Sequence, residues 1–201
     1  MKSITTFAAV FAATIITALA TPQVGQPAPE FTLTDSNGKS HKLSDFKGKL
    51  VVLEWLNHGC PFVVKHYGSG NMQKLQKEFT GKDVVWLSIV SSAPGKQGHM
   101  STEEANKTKE EKGSAATAVL LDEDGTVGKL YNAKVTPELY VVDREGTLIY
   151  AGAIDSVKST DAADIEGATN YVKQALDEAL AGKPVSEATT TAYGCGIKYA
   201  D

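Results

Sequence analysis

The chain has 201 residues, of which 42% are apolar and 22% are charged, and its formal net charge is −4. These values are those of an ordinary globular protein, and the length suits one domain with a single sizeable core. A net negative charge without a clustered Lys/Arg run excludes the electrostatic pattern of nucleic-acid-binding proteins and of proteins attracted to anionic lipid. We therefore expect neither nucleic acid nor a membrane as a partner of the mature chain.

The first 20 residues have the pattern of a secretory signal peptide. Lys2 precedes an uncharged stretch from Phe7 to Leu19, and Ala18-Leu19-Ala20 is a small-x-small cleavage site. The alternative is a membrane anchor, but two threonines interrupt a run shorter than the roughly 20 apolar residues needed to span a bilayer. We predict cleavage after Ala20 and export to the periplasm or the exterior, where disulfides persist.

An N-terminal β-hairpin is the first predicted element of the remaining chain. Asn37-Gly38 lies between two alternating segments, which is typical of a tight hairpin turn. The apolar run from Leu50 to Leu53 then predicts a central strand covered on both faces. After Cys60, apolar residues recur at helical spacing until Gly68 and Gly70 interrupt them, so we expect one helix to end and a second to begin there.

The second half of the chain continues to alternate strands and helices. Residues 84–90 and 118–121 predict two buried strands, and the capping box Ser101-Thr102-Glu103-Glu104 predicts a polar surface helix between them. A hairpin is predicted around Arg144-Glu145-Gly146, and an amphipathic helix from about Ala163 to Ala181. The predicted fold class is α/β, with three layers around a mixed central sheet and an extra N-terminal hairpin.

Cys60 follows an apolar strand and a short turn, and it opens the next helix. A free cysteine has a pKa of about 8.5, which falls by one to several units where the N–H groups of a helix N-terminus point at the sulfur. Pro61 suits the first turn of that helix because it has no N–H to lose. We interpret Cys60 as a thiolate nucleophile; the alternative is a buried structural cysteine, which would be inert.

Glu54 lies near the end of the same apolar strand. An unpaired carboxylate is costly there, so burial should raise its pKa toward neutrality and let it exchange a proton near pH 7. The alternative is an exposed strand end or a salt bridge, with Lys65 as the candidate partner.

Three segments of the chain match known motifs: Val24-Gly-Gln-Pro-Ala-Pro-Glu-Phe-Thr-Leu, Leu43-Ser-Asp-Phe-Lys-Gly-Lys-Leu-Val-Val-Leu and Val135-Thr136-Pro137. They resemble the thioredoxin fold and, within it, the redoxin branch that contains peroxiredoxins and exported thioredoxin-like reductases. Two further motifs are similar to peroxiredoxin-like exported proteins of the alkyl hydroperoxide reductase/thiol-specific antioxidant branch, namely Glu54-Trp55-x-Asn57-x-x-Cys60-Pro61 and Tyr193-Gly194-Cys195. The resemblance implies one thioredoxin-like domain over residues 21–182 and a C-terminal tail over 183–201.

The resemblance implies roles for four positions. Thioredoxins have a buried acid six residues before the attacking cysteine, which corresponds to Glu54 and Cys60. Pro137 matches the cis-proline that faces that cysteine, which implies that Thr136 presents its backbone to a bound substrate. Protein or small-molecule thiols and disulfides are the implied partners, and we expect no cofactor.

The chain departs from both families near the nucleophile. Val63 stands where thioredoxins have a second cysteine, so the local dithiol is missing. Leu53 and Asn57 stand where peroxiredoxins have proline and Thr/Ser. Arg144 is the single arginine of the sequence and lies in a predicted turn, so the guanidinium that polarises peroxide in peroxiredoxins has no obvious counterpart.

Cys195, in the tail, is the candidate resolving cysteine. It lies 13 residues beyond Gly182, and an extended chain of that length reaches about 40 Å, far enough to return to Cys60. The same bond could instead be a staple that closes a loop of well over 100 residues and stabilises the fold by roughly 5 kcal/mol. Separate roles for the two cysteines are the third alternative.

Asn57, His58 and Trp55 flank the motif and are candidates for tuning the site. We interpret His58 as an imidazole that tunes the thiolate, and His66 as a helix-surface residue. A copper or zinc site with Cys60 is the alternative, but these three lack the spacing of metal ligands, so we expect no metal. Core packing is the simpler interpretation of Trp55.

The leading hypothesis is an exported thiol-disulfide oxidoreductase whose parts are nucleophile Cys60, proton carrier Glu54, docking segment Thr136-Pro137 and resolving Cys195. The second is a thiol peroxidase in which Cys60 passes through sulfenic acid. The third is a non-catalytic binding domain in which Cys60 and Cys195 form a structural disulfide.

Overall fold

A computed structural model describes residues 21–200 of the chain. The predicted signal peptide lies outside the described residues, so cleavage after Ala20 stays a prediction. Within residues 21–200, no helix has both the length and the apolar character needed to span a bilayer.

Strands and helices alternate along the described chain. The strands are β1 (Thr32–Asp35), β2 (Ser40–Lys42), β3 (Val51–Trp55), β4 (Val85–Val90), β5 (Ala118–Leu121), β6 (Val135–Thr136), β7 (Glu138–Val142), β8 (Leu148–Gly152) and β9 (Cys195–Gly196). The α-helices are α1 (Pro61–Gly68), α2 (Asn71–Thr80), α3 (Thr102–Glu111), α4 (Thr126–Leu130) and α5 (Tyr171–Leu180). Short 3-10 helices span Leu43–Phe46 and Ala162–Ile165.

Seven of these strands form one mixed sheet in the order β2-β1-β5-β4-β3-β7-β8. At its centre, β3, β4 and β5 are parallel, whereas β7 pairs antiparallel with β3 and β1 pairs antiparallel with β5. β6 and β9 form a separate two-stranded ladder. The predicted α/β class, mixed sheet and N-terminal hairpin are confirmed.

The central strand β3 is buried along its whole length and sends side chains to both faces of the sheet. One face carries an apolar cluster with α1, α2 and α5, which contains Val52, Leu56 and Cys60. The other face carries a second cluster with α4 and the N-terminal segment, to which β3 contributes Val51, Leu53 and Trp55. Because successive strand residues alternate between faces, Glu54 lies on the same face as Cys60.

Local predictions are confirmed where turn and cap signals are strong. Gly38 lies between β1 and β2 with a φ of 80°, and Ser101 caps α3 through a capping box. The helix after Cys60 also ends at Gly68, and α2 begins at Asn71.

Two helices differ from the prediction. α5 begins at Tyr171 and not near Ala163, because Asn170 caps it by accepting the Lys173 N–H at 2.8 Å. α4 was not predicted; it has 5 residues, and the buried carboxylate of Asp122 accepts two N–H groups of its first turn. So short a helix has no apolar period of its own, and a tertiary contact holds its first turn.

Candidate active site

Cys60 occupies the N-cap position of α1, directly after the turn that follows β3. Asn57 shapes this turn, because its carbonyl oxygen accepts the Cys60 N–H at 2.9 Å and its Oδ1 accepts the N–H two residues on at 2.8 Å. Pro61 is the first helical residue and has no N–H group, so the N–H groups of Phe62 and Val63 are the first that α1 offers, and both act to lower the pKa of Cys60. Cys60 itself is completely buried.

The Thr136–Pro137 peptide bond is cis and lies beside Cys60. The Cys60 thiol can donate to the Thr136 carbonyl oxygen, which is 3.0 Å from Sγ. The Thr136 backbone is already paired, because β6 and β9 set Thr136 opposite Cys195. The tail therefore occupies the edge on which a substrate backbone was predicted to dock.

The C-terminal tail folds back over the domain. Beyond β9, the Ala93 N–H bonds to the Lys198 carbonyl oxygen at 2.8 Å. Before β9, Gly194 has a φ of 156° and lies so close to the Thr136 carbonyl that a Cβ atom would collide with it. Only glycine fits this approach, because it has no side chain and tolerates positive φ.

The two cysteines lie against each other as free thiols. The Cys195 backbone nitrogen is 3.4 Å from Cys60 Sγ, so its N–H group donates to that sulfur. Cys195 is partly exposed, whereas Cys60 is buried. The fold thus brings together the predicted nucleophile and the predicted resolving cysteine, whose roles stay predictions.

The pKa values of the two thiols shift in opposite directions. Burial opposes ionisation of Cys60, but hydrogen bonds from Cys195 and from the N–H groups of Val63 and Phe62 outweigh it, so its pKa is lowered. The Thr136 carbonyl oxygen acts in the other direction, since it can only accept a bond from the thiol. Burial and the neighbouring Cys60 raise the pKa of Cys195 to about 11.

Glu54 is a fully buried carboxyl group surrounded by donors. They are the hydroxyl of Tyr67 at 2.9 Å, Trp86 Nε1 at 2.7 Å, Ser88 Oγ at 3.0 Å and Gln76 Nε2 at 3.2 Å. Burial raises its pKa, although these hydrogen bonds oppose the shift. Within residues 21–200, no hydrogen bond joins Glu54 to Cys60. Lys65 bonds elsewhere, so the alternative of a Glu54–Lys65 salt bridge is wrong.

Two other candidates near Cys60 contact neighbouring side chains: His58 packs on Tyr67, and Trp55 bonds to Ser91. His58 packs edge to face against Tyr67, with ring centroids 4.7 Å apart, and burial followed by the charge of Lys112 lowers its pKa to about 4. It is therefore a neutral imidazole at pH 7. Trp55 lies on the opposite face of the sheet and donates to Ser91 Oγ at 3.0 Å, which is the position of a core aromatic.

Sequence reasoning missed a buried polar cluster on α1. Lys65 and His66 are 3% and 0% exposed, so the prediction that His66 lies on the helix surface is wrong. Lys65 Nζ is 3.1 Å from Asp155 Oδ2, and the Tyr193 hydroxyl donates to Asp155 Oδ1. No local pattern distinguishes these side chains from surface charges, because their partners lie far away in the sequence.

Two further observations concern the peroxidase and metal-site alternatives. Arg144 is exposed in the turn between β7 and β8. In the described part of the chain, no three His, Cys, Asp or Glu side chains converge closely enough to hold a metal ion.

The chain is similar to several known proteins. The model of the AhpC/TSA family matches residues 24–151. The thiol-disulfide oxidoreductase ResA of Bacillus thuringiensis is 27% identical over 127 residues, which are 63% of this chain and 68% of that protein. An uncharacterized conserved protein from Geobacillus kaustophilus has a TM-score of 0.76 at 29% identity, over 89% of this chain and 93% of that one. The exposed lipoprotein thioredoxin Etrx1 of Streptococcus pneumoniae has a TM-score of 0.51 at 29% identity, over 75% of this chain and 99% of that one. The predicted thioredoxin fold is confirmed.

Proposed function

Because the chain belongs to the AhpC/TSA family, we propose that it is a thiol-disulfide oxidoreductase that works through a reversible Cys60–Cys195 disulfide. The observation that carries the proposal is the contact of two free cysteines beside a cis-proline, with the Cys195 nitrogen 3.4 Å from Cys60 Sγ. A relative that bears the name thiol-disulfide oxidoreductase supports it.

Cys60 is the nucleophile of the reduced protein. Its thiolate attacks one sulfur of a substrate disulfide, and the other sulfur leaves as a thiolate that takes up a proton. Cys195 then loses its proton and attacks the Cys60 sulfur of the mixed disulfide. This releases the second substrate thiol and leaves the Cys60–Cys195 disulfide, so two electrons have passed to the substrate. An external dithiol returns them.

Exposure favours Cys195 as the sulfur that this dithiol attacks. Cys60 is covered by β9, whereas Cys195 is partly exposed. Attack at Cys195 releases Cys60, whose lower pKa makes it the better leaving group. The same cover means that a bulky disulfide reaches Cys60 only after β9 separates from β6, and Thr136 then offers its backbone for docking.

Glu54 is the proposed proton carrier of the site. Its burial, its raised pKa and its place on the Cys60 face of β3 support this role. A carboxyl group with a raised pKa keeps its proton to higher pH, so it can still deliver that proton to a thiolate where a carboxyl group with an ordinary pKa has released it.

Export is the proposed location. The signal-peptide pattern of residues 1–20 supports it. One similar structure is that of an exposed lipoprotein thioredoxin. An oxidising compartment would also let the Cys60–Cys195 disulfide persist until a reductant reaches it.

A redox titration tests the proposed function. The chain from Thr21 onward is equilibrated in thiol buffers of defined potential, and alkylated cysteines are counted by mass. We expect a midpoint above about −250 mV; a midpoint below about −300 mV would identify a structural staple and support the binding-domain alternative. With Cys195→Ser, a mixed disulfide between Cys60 and the buffer thiol should accumulate.

A thiol peroxidase is the second candidate, favoured by membership of the AhpC/TSA family and by the lowered pKa of Cys60. Arg144 argues against it, because it is exposed in the β7–β8 turn and not beside the sulfur. Rapid peroxide consumption with stoichiometric trapping of a Cys60 sulfenate would favour this candidate over disulfide exchange.

A further inference from the structure

A buried charge cluster lies next to the two cysteines and takes no part in the chemistry described so far. Asp155 is its centre, with its side chain 2% exposed. Its Oδ2 is 3.1 Å from Lys65 Nζ, and its Oδ1 accepts the Tyr193 hydroxyl and, at 3.0 Å, the Val157 N–H. The Lys65 ammonium, 0% exposed, also donates to the Val157 carbonyl oxygen at 3.0 Å.

This cluster connects the two elements that carry the cysteines. Lys65 belongs to α1, the helix that begins directly after Cys60. Tyr193 belongs to the tail and precedes Cys195 by two residues. Its ring also packs edge to face against Phe62 of α1, with centroids 5.6 Å apart. Asp155 therefore accepts hydrogen bonds from Lys65, in the helix after Cys60, and from Tyr193, in the tail that carries Cys195.

Apolar packing does not require such a cluster. Burying a Lys–Asp pair costs desolvation energy that its Coulombic attraction barely offsets, and an apolar pair of similar volume is often as stable. What an apolar pair lacks is an acceptor for the Tyr193 hydroxyl, whose burial without a partner would be unfavourable. The charged pair thus provides a fixed point to which the tail binds in one register.

We propose that Asp155 and Tyr193 are positioning residues, which hold Cys195 against Cys60 and thereby favour closure of their disulfide. The inference rests on the proposed function. Closure converts two thiols into one disulfide, and it passes two electrons and two protons to an external disulfide. Its equilibrium constant measures the effective concentration of one thiol at the other, and that concentration falls when the tail has more positions to occupy.

Tyr193→Phe is the direct test, because it removes the hydroxyl and keeps the ring that packs on Phe62. Wild type and variant are equilibrated with glutathione and glutathione disulfide, and the closed and open forms are counted by alkylation and mass. We expect the closure constant to fall by at most about tenfold, because the reduced variant's tail leaves its place more often and the closed form then lacks one hydrogen bond of about 1.4 kcal/mol. For a two-electron couple this limit corresponds to a midpoint about 30 mV higher.

Tyr131→Phe is the matched control. It also removes a buried tyrosine hydroxyl, which donates to the Pro29 carbonyl oxygen at 2.7 Å in the cluster on the other face of the sheet. A purely structural hydroxyl would destabilise the reduced and oxidised forms equally and would leave the closure constant unchanged. We expect that result for Tyr131→Phe and not for Tyr193→Phe.

The outcomes separate this inference from the proposed function. If the wild-type disulfide does not form at any glutathione ratio, the proposed function fails and the positioning role fails with it. If it forms and Tyr193→Phe closes as readily as wild type, the positioning role alone is overturned. Phe62→Leu, which weakens the packing of the Tyr193 ring and leaves its hydroxyl, is the second variant and should lower the closure constant by a smaller factor.

Discussion

Cys60 and Cys195 are held by regions of opposite character. Cys60 lies in a strand–turn–helix segment that local contacts shape, with Asn57 holding the turn and α1 beginning at the next residue. Cys195 lies in a tail with little regular structure, which β6 and Asp155 hold from distant parts of the chain.

These different surroundings give the two thiols opposite pKa shifts. Hydrogen bonds from Cys195 and from the N–H groups of Val63 and Phe62 at the start of α1 outweigh burial and lower the pKa of Cys60. Burial and the neighbouring Cys60 raise the pKa of Cys195 to about 11. Local structure therefore places the proposed nucleophile at a helix N-terminus, whereas long-range contacts position Cys195 and help to lower the pKa of Cys60.

The largest expected effect comes from replacing Cys60, the cysteine of the locally shaped segment. Cys60→Ser should abolish turnover of a disulfide substrate, because serine has no thiolate and Cys195 lacks an activating helix terminus. Turnover is followed by the release of substrate thiol. Activity that survives in Cys60→Ser would show that Cys195 reacts by itself and would remove the proposed division between the two cysteines.

Gly194→Ala tests the long-range pairing of β9 with β6, which holds Cys195. The added Cβ collides with the Thr136 carbonyl oxygen, and a φ of 156° is unfavourable for alanine, so β9 should separate from β6. We expect a loss of about 1–3 kcal/mol in unfolding free energy from this backbone conflict. Urea unfolding of the reduced protein measures it. Gly182→Ala, at the end of α5, also has a positive φ but meets no atom within 4 Å, and it serves as the control.

His58→Phe tests the segment around Cys60 through its effect on the stability of the fold in acid. The pKa of His58 is about 4 in the folded chain and about 6.5 when unfolded, so the unfolded state binds more protons between these values. Wild-type stability should therefore decrease as pH falls from 6.5 to 4. Phenylalanine keeps the ring contact with Tyr67 and does not titrate, so the variant should lose about 2 kcal/mol less over that range, allowing for partial exposure. Parallel pH profiles would contradict the low pKa.

Glu54→Gln tests a pH dependence of the opposite sign. The pKa of Glu54 is raised in the folded chain, mainly by burial, so the folded state holds its proton at pH values where the unfolded state has released it. Wild-type stability should therefore decline relative to Glu54→Gln as pH rises above 4.5, with a slope of at most about 1.4 kcal/mol per pH unit for one group. Unfolding free energies of both proteins between pH 4 and 8 measure it. A difference that shrinks as pH rises would mean that the four donors outweigh burial and lower the pKa.

Much of the fold was predictable from the sequence, because its signals are local. Asn37-Gly38, Ser101 with Glu104, and Gly68 each specify a backbone geometry within a few residues, and each appears where it was predicted. The order of apolar strands and helices was sufficient for the α/β class. The start of α5 was placed too early, because Ala163 continues the apolar pattern although Asn170 caps the helix.

The candidate site likewise has some features that follow from the local sequence and others that depend on tertiary contacts. The sequence by itself determined that Cys60 opens a helix after a buried strand and that Glu54 lies on that strand, since both follow from neighbouring residues. Only the tertiary structure decided that β9 covers Thr136, that Lys65 pairs with Asp155 and not with Glu54, and that Tyr193 binds that pair. Such contacts join residues that are distant in the chain, and a local pattern contains no information on which distant group will supply the charge or the hydrogen bond that a buried polar side chain requires.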